Sequence, residues 1–497
     1  MDGRRKPETT NVNKQIKRKP VSATAKKSAT AKRQRYNSRK RRRVGYEIYI
    51  AAAILALTIC GIIVLIVSKT GGGGTTNVTP QINAQIYARE TATPEPTATP
   101  EPEVTEYAAG ENQEEAQEAT VQPSSTQQAQ TASTGLRSAT IRTVGDFVIH
   151  ETVFKSAAEL AKQTGVDYSY DFYPMLELIS ETMANADFTI ANVDGSMGGK
   201  QYYKYGYSGY PQFNTPPYLL YALQSCGVDM LTLANNHMLD GWFDGLMATI
   251  ENVESVGIKH MGANRSQEEK SSPNIVEING IKVGFMNYTC SLNSMESQKS
   301  LDSRALEYGA NWVKKCNCNT DAKTLRDAGA DVIVCYMHWG TEYLEDPDDN
   351  QKYYASALVK AGVDVIMGGH PHVVQHAEWL SGTNQFGEQQ TTLCVYSVGN
   401  FLSDQRAALR DGGIIFDFTI QEQSDGTFAI TAPSYLPTWV WRTGSESAGY
   451  NYTVVPIGKY LNNRPAGMSD TDYARMKASY QESISAMQKG VGNLISE

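Results

Sequence analysis

Cysteine is scarce in this chain, with 7 among 497 residues. So few argue against a disulfide framework, the device that small secreted domains use in place of a large core. Cys60 falls in an apolar run, and Cys226, Cys290, Cys335 and Cys394 sit in apolar segments that suit buried thiols. Cys316-Asn317-Cys318 is too tightly spaced for a zinc pair of the C-x2-C kind. Acidic residues are nearly missing from the first 43 positions, which carry about 17 Lys and Arg against 2 Asp and Glu. The formal net charge of -8 therefore hides an arm near +15 and a remainder near −23. Charge of either sign is missing from Ile48 to Val67, roughly 20 residues and long enough to span a bilayer. No clear small-residue cleavage site follows it. The expectation is a basic cytoplasmic tail (residues 1–43) and an uncleaved transmembrane helix (44–69). Arg39 to Arg43 should stay inside, so a single-pass protein of the cell membrane would face the rest of its chain outward. The anchor accounts for the basic arm, and nucleic acid is not expected as a partner.

Apolar residues are sparse again from Gly71 to about Gly135, where Thr-Ala-Thr-Pro-Glu-Pro occurs twice in succession, at Thr91–Pro96 and Thr97–Pro102. Too little can be buried there to offset the entropy of ordering. Residues 70–136 are expected to be a disordered, Pro-, Gln-, Thr- and Glu-rich stalk.

Folded character begins near Arg137. Helix-like segments end on Gly and lead into strand-like runs at Cys226-Gly227-Val228, Ala328-Gly329-Ala330 and Ala361-Gly362-Val363. A Gly just past a helix takes the left-handed conformation that stops it. Helical spacing marks Tyr218–Ser225 and Gln351–Lys360, and the alternation predicts an α/β fold. Ile275–Ile278 and Ile281–Asn287 flank Asn279-Gly280, a hairpin signal. Gly413–Ile420 and Thr427–Ala432 flank a second turn, so a mixed sheet or two-sheet sandwich is expected. The main domain is drawn over 137–440. A C-terminal extension follows over 441–497, with a helix after Ser469 running to about Met487.

Six apolar runs each end in polar residues of metal-ligand type. Ile141–Val144 leads to Gly145-Asp146, Phe188–Ala191 to Asn192-Val193-Asp194, and Met230–Ala234 to Asn235-Asn236-His237. Val332–Met337 leads to His338, Val363–Met367 to His370-Pro371-His372, and Leu393–Val398 to Gly399-Asn400. If the runs are strands, these residues gather at the carboxyl edge of a sheet, where α/β folds place ligands. Four histidines with carboxylates there point to one or two divalent ions. Imidazole favours manganese, zinc or iron over magnesium alone.

The motif order resembles the CapA family of capsule-synthesis proteins, known for poly-γ-glutamate capsules and similar in fold to calcineurin-like metallophosphatases. The residues that carry it are Gly145-Asp146, Ala191-Asn192-Val193-Asp194, Asn235-Asn236-His237-Met238-Leu239-Asp240-Gly241, His338-Trp339-Gly340-Thr341-Glu342-Tyr343, Gly369-His370-Pro371-His372 and Gly399-Asn400-Phe401. The resemblance covers about Ser138 to Tyr435. It implies a four-layer α/β/β/α metallophosphatase-like sandwich. It also implies metal ligands at Asp146, Asp194, Asn236, His338, His370 and His372, with Asp194 bridging and His372 sharing an ion with Asp146. His237 would be the acid facing the leaving group, with Asp240 beside it. His150, Asn192, Asn235, Glu342, Tyr343, His376, Asn400 and Gln405 are expected around them as substrate-facing or supporting residues. Two departures stand out. The first motif lacks the Asp-x-His of true metallophosphatases, with His150 as the candidate replacement, and Asp194 stands where the family usually carries Glu.

The function implied is metal-dependent phosphoester hydrolysis or transfer at the cell surface, serving synthesis or export of an anionic polymer, with a membrane synthase or export complex as partner. The alternative is a non-catalytic accessory subunit that uses the cleft to hold polymer.

Overall fold

Apolar runs without alternation become strands buried on both faces, and such strands belong in the middle of a layered fold. The computed structural model describes residues 135–495. The expected tail, anchor and nearly all of the stalk lie outside the described residues. No helix among the described residues is long and apolar enough to cross a membrane.

The chain forms a mixed α/β sandwich. The first sheet has nine strands. Its parallel part is β1 (Ser138–Val148), β2 (Phe188–Val193), β3 (Met230–Thr232) and β4 (Lys259–Met261). The second sheet has six strands: β5 (Ile275–Ile278), β6 (Ile281–Thr289), β7 (Val332–His338), β8 (Val365–Gly369), β9 (Val374–Thr383) and β10 (Gln389–Val398). In it β6, β7, β8 and β10 run parallel, while β5 and β9 are antiparallel edges. The short β11 (Asn400–Ser403) crosses back to pair with β1 in the first sheet. That sheet is completed by β12 (Gly412–Glu422), β13 (Phe428–Ser445), β14 (Gly449–Pro456) and β15 (Asn493–Leu494).

One apolar core lies between the sheets and joins Ile141, Ile190 and Phe416 to Val283, Val334 and Val365. A second packs the helices Glu151–Thr164, Leu219–Ser225 and Trp242–Ser255 on the outer face of the first sheet. A third packs Cys318–Asp327 and Asp349–Ala361 on the outer face of the second. The layers are thus helix, sheet, sheet, helix. Gly227, Gly329 and Gly362 all take positive φ just past helix ends, and Asn279-Gly280 closes its hairpin with φ of 51° and 77°. The six described cysteines are free thiols.

The boundary drawn at residue 440 falls inside β13. That strand runs on to Ser445 and pairs with β14, so residues 441–456 widen the first sheet. Beyond them the helix Asp470–Met487 starts at Ser469, whose hydroxyl accepts from the Asp472 amide at 3.1 Å.

Arg142 and Asp417 face each other across β1 and β12 and form a buried two-point ion pair at 2.8 and 2.6 Å. Asp417→Ala would strand a buried guanidinium. Breaking a buried pair from one side costs about 3–5 kcal/mol, whereas replacing both partners with apolar residues costs little. Urea unfolding should therefore show a large loss for Asp417→Ala and recovery of most of it in Arg142→Met/Asp417→Leu.

Candidate metal centre

The parallel strands β1, β2, β3, β7 and β8 and the end of β10 deliver all six polar clusters to one edge of the sandwich. Pairing register brings Asp146 beside both Asn192 and Asn400, and His338 beside Gly369. Backbone register shifts on either side of Asp146, the kind of irregularity that re-aims a side chain next to a site. Gly145 has no room for a side chain there, since a Cβ would lie 2.5 Å from the Gly399 carbonyl oxygen.

Two sets of side chains converge. Asp194, His338 and His370 each offer a ligand atom, all within 4.8 Å of one another, and so do Glu342, His370 and His372. His370 belongs to both. Asp194 stands 3.7 Å from His338 Nε2 through one oxygen and 3.6 Å from His372 Nε2 through the other, a bridging position. Asn236 adjoins the first set, its Oδ1 lying 2.9 Å from His338 Nε2.

The residues fit a divalent ion on an observation independent of resemblance. Buried polar atoms are normally hydrogen-bonded, yet Asp194 Oδ1 and the Nδ1 atoms of His338, His370 and His372 are buried without a hydrogen-bond partner. His372 Nδ1 does lie 3.3 Å from Asp146 Oδ2, close enough for charge attraction but out of line for a hydrogen bond. Burial and the neighbouring imidazoles hold His338 well below its ordinary range and bring His370 down to about 4. Both rings are therefore neutral near pH 7 and have no proton to displace. Burial pushes the Asp194 carboxyl up to about 6, against the pull of His237 and His372. At His372 burial acts downward, but Asp146 and Asp194 outweigh it and raise the ring above its usual range.

Asp146, expected to share an ion with His372, lies 3.3 Å from that ring and is held by three donors besides. Its Oδ1 accepts from Asn192 Nδ2 at 2.7 Å and from the Tyr336 hydroxyl at 3.3 Å, and its Oδ2 accepts from the His370 amide at 3.0 Å. It belongs to neither converging set. His150 is also outside them: its Nδ1 lies 2.9 Å from the Val148 carbonyl, and its ring edge rests on Phe213.

His237 sits one step further out. Its Nδ1 is 2.7 Å from Asp240 Oδ2, which also accepts from the Phe213 amide at 2.7 Å. Burial works against its protonation, but the Asp240 hydrogen bond and the Asp194 charge prevail and raise its pKa. Asn293, from a loop after β6, stands 3.4 Å from His237 Nε2 and accepts from Asn236 Nδ2 at 3.3 Å. Neither Asn293 nor Tyr336 was marked by the sequence. The one lies in a loop without a strand-end motif, and the other hides inside an apolar run.

The remaining expected residues are supports. Asn192 accepts from Thr232 at 2.6 Å, and Asn235 holds the His237 amide at 2.9 Å. Asn400 donates to Gln405 at 3.2 Å and to the Arg410 carbonyl at 2.7 Å. Tyr343 lies against His372, with ring centroids 6.1 Å apart. His376 packs on Tyr396, with Asp346 and Lys489 as its charged neighbours, and joins neither set.

The family model "Bacterial capsule synthesis protein PGA_cap" matches residues 140–405. The chain is similar to the "Capsule biosynthesis protein CapA" of Bacillus anthracis, 26% identical over 269 residues, covering 54% of this chain and 60% of that one. It is also similar to the "PGA biosynthesis protein CapA" of Bacillus subtilis (strain 168), 27% identical over 212 residues, covering 42% and 51%. The chain thus spans about half to three-fifths of the length of these relatives. Among solved structures the NAD nucleotidase of Haemophilus influenzae aligns over 73% of this chain and 64% of its own, at 11% identity and a TM-score of 0.36, a likeness too slight to draw on.

Since His370 is shared, His370→Ala should abolish tight binding of manganese or zinc altogether. His338→Ala should weaken the first ion alone, by roughly tenfold or more. Elemental analysis of the purified variants after gel filtration checks both.

Proposed function

The chain belongs to the bacterial capsule synthesis protein family PGA_cap, and on that premise we propose that its strand-end cluster is a metallophosphatase-like centre for phosphoester hydrolysis or transfer. Its setting would be the outer face of the cell membrane, where it serves synthesis or export of an anionic capsule-type polymer. A single-pass anchor and a membrane synthase or export complex complete that proposal. The relatives' names, which speak of capsule and PGA biosynthesis, support the polymer. The uncharged run from Ile48 to Val67 supports the anchor.

The observation that carries the chemistry is the set of unpartnered buried atoms on Asp194, His338, His370 and His372. Asp194, His338, His370 and Asn236 would hold one divalent ion, with manganese, zinc or iron suited to imidazole. When bound, it supplies Lewis acidity toward a phosphoryl oxygen and toward water.

The chain's own groups do the rest. Asp240 fixes the His237 ring by accepting a hydrogen bond from Nδ1–H, which leaves Nε2 as the exchanging atom. The raised pKa favours the protonated ring, the state a general acid needs to protonate a departing oxygen. Asn293, 3.4 Å from Nε2, stands beside the exchanging atom and limits where the departing group sits. Asp240 is in this account a positioning residue. Arg410, whose guanidinium stacks 3.4 Å over the Tyr343 ring, brings a cation to the rim for an anionic substrate.

A second reading, a polymer-holding accessory subunit, is favoured by one feature: the β1 loop contributes no histidine to either set. Turnover decides between them. The purified chain loaded with manganese should hydrolyse generic phosphomonoesters or diesters. His237→Ala should lower kcat by roughly 10²–10⁴-fold while retaining its ions. A fully loaded wild-type chain that turns over nothing would leave the accessory role.

A further inference from the structure

We propose that Glu342 supplies the ligand that the β1 loop lacks, so that a second divalent ion is held by Glu342, His370 and His372 on the β7-loop side of the cluster. The proposal rests on the metal-centre reading above and deepens it.

The β1 side is largely committed to the frame. A carboxylate has about four acceptor sites, and Asp146 uses three on Asn192, Tyr336 and the His370 amide while facing His372 with the fourth. His150 stands at the N-cap position of the helix Glu151–Thr164 with its Nδ1 held between the Val148 carbonyl at 2.9 Å and the Asp404 amide at 3.2 Å. On the other side His370 Nδ1 is buried and unpartnered, and the His372 ring, only 4% exposed, packs beside the Tyr343 ring. Glu342 brings an oxygen within 4.8 Å of ligand atoms on both rings.

The loop that carries Glu342 is held in place for this. The Tyr343 amide donates to the carbonyl of Pro371, the residue between the two histidines, at 2.8 Å. Tyr343 takes φ of 69°, a conformation that costs a bulky residue energy and is kept where the surroundings impose it. Arg410 covers its ring. The Leu344 carbonyl accepts from Gln375 at 2.9 Å, and Thr341 donates to Asp348 at 2.8 Å. The loop is thus pinned on both sides of Glu342, while the Glu342 side chain itself stays exposed. A buried first ion and a second one bordering solvent should differ in exchange rate, the second leaving first on dilution or chelation.

Titration of the full chain with manganese, read by calorimetry and by the spin-coupled electron paramagnetic resonance signal of a paired site, tests this without any substrate. Wild type should bind two ions. Glu342→Gln should bind the first unchanged, lose the coupled signal, and weaken the second by roughly tenfold or more. Its melting temperature should not move, because the residue is exposed. Arg410→Ala, which frees the Tyr343 ring without touching a ligand, should weaken the second ion alone, and His150→Ala should leave both in place. Two ions bound by Glu342→Gln with wild-type affinity, or a second ion lost in His150→Ala, would overturn the assignment. So would a wild type that takes one ion only, which leaves the metal centre itself standing. A wild type that takes none removes both.

Discussion

The buried Asp146 carboxylate ties the two sheets together at the edge where the chemistry gathers. It reaches Asn192 on β2 of its own sheet, and Tyr336 on β7 and the His370 amide after β8 of the other. An isolated carboxylate cannot be buried at tolerable cost. Three donors converging on this one make its burial possible and fix the distance between the sheets. A Cβ added at Gly369 would stand 2.5 Å from Asp146 Oδ1 and 2.3 Å from the Tyr336 hydroxyl, so close contact at this junction requires glycine. The histidines that follow Gly369 inherit their positions from it.

Charge at the centre is divided by environment. His338 and His370, packed ring to ring with centroids 4.7 Å apart, are neutral because neither can afford a proton beside the other in a dry setting. His237 and His372, each paired with carboxylates, retain theirs more readily. One residue type thus meets two settings within a few ångströms: burial lowers the rings with no acid behind them, and carboxylates raise the rings that have one.

Much of the fold was legible in the sequence because its signals are local. Gly227, Gly329 and Gly362 end helices, and Asn279-Gly280 turns a hairpin, through backbone preferences that depend on no distant partner. The strand-end placement of Asn236, His237, His338, His370 and His372 followed from apolar runs long enough to be strands. What escaped was direction. Asp146 reads as a ligand in the motif order, yet the register shift in β1 points it into the junction. Glu342 reads as a substrate-facing or supporting member of its motif, yet the loop that carries it brings an oxygen close to both His370 and His372. Tyr336 and Asn293 gain their roles only from strands and loops that meet in space. The pairing over 441–456 is hard to read because the end of β13 and the start of β14 are polar and half-exposed, without the continuous apolar run that marks the buried strands.

Among the described residues nine other than glycine adopt positive φ, and Asn293, Tyr343, His370 and His372 are among them. Each occupies a backbone state that its side chain disfavours by about 1–3 kcal/mol, and together they line the same few ångströms. The cluster is therefore the least comfortable part of the domain, held by the rest as a spring is held by its frame. A glycine at His372 would relax the main chain and remove a ligand in the same stroke. Bulky rings held in these conformations mark the place where backbone comfort gives way to the convergence of side chains.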